Sequence, residues 1–192
     1  MANTYKTPLT DVLEKGTFGA NTKDKITFSE TVYNSVVQVV AYKTTEKDLA
    51  KEIKSIFKVD LPAVGTFTAI DGGYIQWVGA HRYQIVSNKS GLTNELENKI
   101  DINIASVVDL SDARAIFNVK GSKVIELLSK GASIDFNNNF NKGDIVLTNM
   151  SHIGVMVNYL NKDEVELYVY RTFAKSFYHF LTVSAEEWGY QV

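Results

Sequence analysis

The sequence predicts an α+β protein built from two βαββ-type lobes in series. Three observations predict it. β-Branched runs of strand length recur along the chain, amphipathic stretches at helical spacing separate them, and the order of the two repeats in the second half. The 192 residues suit one large domain or two small ones in close association. A chain of that size buries about 70% of its unfolded surface. A hydrophobic content of 45% sets it apart from disordered chains.

Taken in order, residues 1–30 are polar and aperiodic, with Pro8, Gly16 and Gly19. They read as an extended N-terminal arm that needs a surface to lie on, or else as a disordered tail. Order is expected from Val32. Val36, Val37, Val39 and Val40 form a β-branched run of strand length. Thr45 is placed to cap the next helix, with Asp48 answering from N3. Leu49, Ile53, Ile56 and Phe57 fall on one face of that helix, and Pro62 closes it off. Strands over 66–70 and 74–78 join through Asp71-Gly72-Gly73, a turn that accepts positive φ, and a third strand covers 83–87. Leu92, Leu96 and Ile100 mark a short helix.

The second half repeats the theme. Strands are expected over 102–109 and 113–119. Ser122 then caps a helix that turns Val124, Ile125, Leu127 and Leu128 inward, with Gly131 just past its end. Three more strands cover 145–148, 153–159 and 165–170. A last helix carries Phe173, Phe177, Phe180, Leu181 and Trp188 along one face. The resulting lobes, 31–104 and 105–192, are each ferredoxin-like in element order. No Pro/Gly/Ser-rich linker divides them, so they are expected to associate tightly.

Composition excludes several functions. A formal net charge of −2 leaves no positive field for nucleic acid or anionic lipid. Cysteine is absent, which removes disulfides, thiol catalysis and thiolate metal sites and fits a reducing cytoplasm. No apolar run reaches the about 18 residues needed to cross a bilayer, and the first residues lack the apolar core of a secretory signal. A cytoplasmic protein is expected. Lysine outnumbers arginine and asparagine is frequent, as an AT-rich bacterial genome would encode.

Few residues carry chemistry. His81, His152 and His179 share no metal-ligating spacing. Asp109 and Asp112 are paired carboxylates in a turn-like setting. They could act as a base or ligand contact, or could accept from backbone N–H groups between two strands, with Arg114 holding either in an ion pair. Lys15-Gly16-Thr17-Phe18-Gly19 and Asp71-Gly72-Gly73 lack the spacing of a phosphate loop. The Phe173–Phe177–Phe180–Leu181 stripe is core by spacing, though such a face could also hold a flat ring. No catalytic, cofactor-binding or metal-ligating residue is assigned.

Ordered blocks nevertheless carry a resemblance. They are Trp77-Val78-Gly79-Ala80-His81-Arg82-Tyr83, then Val-Val-Asp-Leu-Ser-Asp-Ala-Arg (107–114), then the helix segment 121–131 with Ile134-Asp135-Phe136, and finally Arg171-Thr172-Phe173-Ala174. Thr7-Pro8-Leu9 echoes a further block near the N-terminus. Over about residues 57–188 the chain resembles the gamma subunit family of heterotetrameric sarcosine oxidase. It departs from that family at Ala80-His81-Arg82 and at Ala132, a position often occupied by Cys.

The resemblance implies a fold like the folate-binding region of the glycine-cleavage T-protein. It implies alpha, beta and delta partner subunits holding FAD, FMN, NAD and tetrahydrofolate, and oxidation of sarcosine with the one-carbon unit passed to tetrahydrofolate. The gamma chain itself would be noncatalytic and cofactor-free, with a role in assembly. The rival expectation is a stand-alone folate or one-carbon binding protein of the same fold, using Asp109 or Asp112 on a pterin.

Overall fold

The computed structural model describes residues 6–138 and 140–192, so the first five residues of the expected arm lie outside the described part. The chain forms two compact units, one from residues 1–32 together with 113–192, the other from 33–112. These boundaries differ from the expected 1–30, 31–104 and 105–192. The strand signal at 102–109 is completed by pairing within the middle unit, so the division falls after Asp112.

In the contiguous unit, β3 (Ser35–Ala41) lies between β6 (Arg82–Ser87) and β7 (Ala105–Asp109). The hairpin of β4 (Phe67–Ile70) and β5 (Gly73–Gly79) extends the sheet on the far side of β6, giving the antiparallel order β4-β5-β6-β3-β7. Helices α1 (Glu46–Phe57) and α2 (Leu92–Lys99) bring Leu49, Ile53, Leu92 and Leu96 to a core with Val37, Val39, Ile75 and Ile85. Alternate side chains of these strands point to the other face. Gln76 and Gln84 stand there as cross-strand neighbours, both buried and joined by a 2.9 Å hydrogen bond.

The discontinuous unit holds the other sheet. Its strands are β1 (Thr17–Phe18), β2 (Ile26–Glu30), β8 (Arg114–Lys120), β9 (Ile145–Met150), β10 (Ile153–Asn161), β11 (Glu164–Tyr170) and β12 (Tyr190–Gln191), in the order β1-β12-β2-β8-β11-β10-β9. Among the described residues of this sheet, only the β12–β2 pairing is parallel. Helices α3 (Val124–Gly131) and α4 (Ala174–Ala185) add Val124, Leu127, Leu128, Phe177 and Leu181 to a core with Phe28, Phe117, Val157 and Leu167. Residues 6–30 of the expected arm are thus a structural part of this unit. Ile26 and Phe28 are fully buried in β2, and Leu9 is buried too. Glu30 ties the earlier turn down by accepting from Thr7 Oγ1 at 2.6 Å and from the Leu9 N–H at 3.1 Å. Gly189 (φ 77°) lets the segment pass, because a Cβ there would stand 1.9 Å from the Ala20 carbonyl oxygen.

Four local expectations are corrected. The Thr45 hydroxyl does not cap α1; it donates to the carbonyls of Ile104 (2.6 Å) and Tyr42 (3.1 Å). Ser122 does not cap α3 and instead donates to Asp24 at 2.7 Å. Gly131 is the last residue of α3, and what it supplies is closeness: a Cβ would meet the Phe180 ring at 2.6 Å. Likewise the inward face of α4 is Ala174, Phe177, Leu181 and Ala185, whereas Phe173 is 46% exposed in the preceding 3-10 turn.

Phe177 packs edge-on against Phe117 with ring centroids 5.6 Å apart. Phe177→Ala should lose about 3–5 kcal/mol and sharply lower the melting temperature, while exposed Lys175→Ala should stay within about 0.5 kcal/mol. Thermal and urea denaturation of the two variants check this pair.

Candidate functional site

In the Asp-Leu-Ser-Asp segment at the end of β7, Asp109 and Ser111 use side-chain oxygens on backbone. Asp109 accepts from the Ser111 N–H at 2.8 Å, and the Ser111 hydroxyl accepts from the Val36 N–H at 3.0 Å, fastening the exit of β7 to the start of β3. The Ser111 hydroxyl holds the Asp109 carboxyl below the usual carboxylate range, with further help from the Ser111 N–H and Thr93 against the opposing effect of burial. Such a carboxylate is a poor general base near neutrality. The expected Arg114 ion pair is also revised. Arg114 lies 4.2 Å above the ring of Tyr170, its cross-strand neighbour, and forms no ion pair among the described residues.

The histidines stand on separate elements. His81, with φ 57°, sits in the β5–β6 turn, where its Nδ1 lies 2.8 Å from Glu46. The other oxygen of Glu46 accepts from the Tyr83 hydroxyl at 2.8 Å. Burial, reinforced by that carboxylate, pushes the Tyr83 phenol far above its ordinary range. His152, with φ 66°, is in the β9–β10 turn beside a hollow of about 530 Å³ lined by Lys130, Asn149, Ser151 and Phe180. His179 projects from α4 beside a smaller hollow of about 260 Å³ with Lys175 and Tyr178. No group of three or more His, Asp or Glu that could hold a metal occurs among the described residues. Gly72 and Gly73 join β4 to β5 and open no helix, so they do not fit a dinucleotide phosphate.

Sequence reasoning missed a buried polar row on the seven-stranded sheet. Asn118, Glu166 and Asn158 are successive cross-strand neighbours on β8, β11 and β10, exposed by 8%, 3% and 0%. Tyr168 donates to Glu166 at 2.7 Å. Neither polar atom of the Asn158 amide has a hydrogen-bond partner among the described protein groups, the setting in which an ordered water is usually held. The signal available was period-2 alternation, which reads as a solvated face. Nothing local says that the face is buried.

These two sheets, with helices packed against each, define an α+β fold. The structure aligns with a chain of the heterotetrameric sarcosine oxidase from Corynebacterium sp. U-96, solved in complex with pyrrole 2-carboxylate, at a TM-score of 0.80 and 18% identity over 96% of both chains. It also aligns with the glycine cleavage system aminomethyltransferase T from Bartonella henselae at a TM-score of 0.65 and 13% identity, covering 94% of this chain and 60% of that one. A search of curated protein sequences gives no match. Residues 42–187 match the model of the sarcosine oxidase, gamma subunit family (SoxG), and the chain belongs to that family.

Two outcomes follow from the polar contacts. Tyr83→Phe should lose about 1.5–3 kcal/mol in urea unfolding, because a buried phenol donating to a carboxylate is removed. Glu95, held below the usual range first by its hydrogen bond from Lys89 and then by Lys99, stabilises the fold above its unfolded pKa of about 4.3, and this is lost as pH falls through the lower folded value. Glu95→Gln should therefore be less stable than the parent by under about 1 kcal/mol at neutral pH and equal to it at about pH 2. Urea titrations at the two pH values check the sign.

Proposed function

We propose that the chain is the noncatalytic gamma subunit of a heterotetrameric sarcosine oxidase and acts in assembly. Its partners would be alpha, beta and delta subunits. FAD, FMN, NAD and tetrahydrofolate would be bound by those chains, and sarcosine would be demethylated to glycine there with the one-carbon unit passing to tetrahydrofolate. The observation that carries this reading is the family match over residues 42–187. It is supported by what the chemistry-bearing residues do, since Asp109, Ser111 and Glu46 spend their polar atoms on holding strands and turns. A cytoplasmic setting agrees with the absence of cysteine. The order β5-β6-β3-β7, with one helix after β3 and another after β6, supports describing the contiguous unit as ferredoxin-like with β4 added at its edge.

Similarity to aminomethyltransferase T favours one alternative, a stand-alone folate-binding protein. Thermal denaturation separates the two. A folate site would raise the melting temperature of the isolated chain saturably as tetrahydrofolate is added. The subunit reading expects no shift, and a saturable rise would overturn it.

A further inference from the structure

Strand β7 forms an outer edge of the five-stranded sheet, and the phase of its backbone follows from two flanking bonds. The Leu110 N–H donates to the Val36 carbonyl at 2.7 Å, and the Tyr42 N–H donates to the Ile104 carbonyl at 3.1 Å. In an antiparallel ladder, bonding residues alternate with non-bonding ones. Ser106 and Val108 therefore turn their backbone groups toward β3, and Val107 and Asp109 turn theirs outward. No described group bonds to the outward N–H groups of Val107 and Asp109.

Natural edges are blunted by proline, lysine or a bulge. β7 reads Ala-Ser-Val-Val-Asp and pairs with β3 in unbroken register, so it has none of these. Apolar surface accompanies the open edge. Ile102 is 79% exposed, Val108 44% and Tyr42 42%. A hollow of about 320 Å³ lies beside the strand, lined by Tyr42, Ile100, Ile102 and Val107, with Glu97 on its rim. Glu97 makes no ion pair among the described residues, and Asp109 closes the strand with a second negative charge.

We propose that this edge receives an extended segment of a partner subunit as an added strand, a mode in which main-chain bonds supply affinity and pockets supply selectivity. The segment places an aliphatic or aromatic side chain in the hollow and a Lys or Arg against Glu97. A second copy of this chain would bring the same two acids to the edge, so charge complementarity selects a basic partner. The inference rests on the subunit reading.

The test uses the complex purified from the source cell on a tag carried by this chain, compared with the chain alone. Amide exchange at Val107 and Asp109 should slow by at least about tenfold on assembly. Val107→Pro removes an outward N–H, as edge strands tolerate, together with a side chain that lines the hollow and packs partly against the core, and Glu97→Lys reverses the rim charge. Each should weaken assembly by at least about tenfold, and Glu97→Lys, at an exposed position, should leave the melting temperature of the isolated chain within about 2 °C. If Val107→Pro unfolds the chain, wild-type exchange and Glu97→Lys decide. Complex formation with unchanged exchange at the two amides overturns the inference and leaves the subunit reading standing. Absence of any flavoprotein complex overturns both. Protection of the same amides in a concentration-dependent homodimer overturns it in favour of self-association.

Discussion

The pairing of β2 with β8 is the constraint on which the larger unit depends. Phe28 stands opposite Val119, and Thr27 opposite Lys120, so a strand from the start of the chain lies against one made after the contiguous unit has been traversed. Without β2 the edge of β8 would be open, and the buried Ile26 and Phe28 would have no place in the core. β12 then lies parallel beside β2, and Gly189 lets the backbones cross at that corner. Loop-closure entropy makes such a contact costly to form early, whereas residues 33–112 close on themselves.

Much of the secondary structure was legible because it rests on local pattern. The β-branched run at 36–40, the Leu49–Ile53 face and the strands around Val157 and Leu167 form where hydrophobic periodicity places them. What failed depends on distant partners. Ile26–Glu30 is short and lies in polar surroundings, and only pairing with β8 makes it a strand. Thr45 and Ser122 occupy cap-like positions, but nearby carbonyls and Asp24 take their hydroxyls. Gly131 looks like a helix stop and is needed for the close approach of Phe180.

The candidate site was legible in a narrower sense. Asp109 and Ser111 were readable as turn residues, and backbone N–H groups are what they hold. The row of Asn118, Glu166 and Asn158 was not readable, because alternation along a strand is the same whether the polar face meets water or protein. Family membership came from ordered blocks of sequence. Spacing of reactive groups played no part in it.

Under the proposed function, this chain contributes surfaces and its partners the chemistry. The direct measurement is the visible absorbance of the tagged chain purified from its source cell, read before and after sarcosine is added, beside the same chain purified alone. The account predicts flavin absorbance that sarcosine bleaches in the first preparation and no flavin in the second. Stoichiometric flavin in the isolated chain, or a native preparation that remains colourless and without partners, would contradict it.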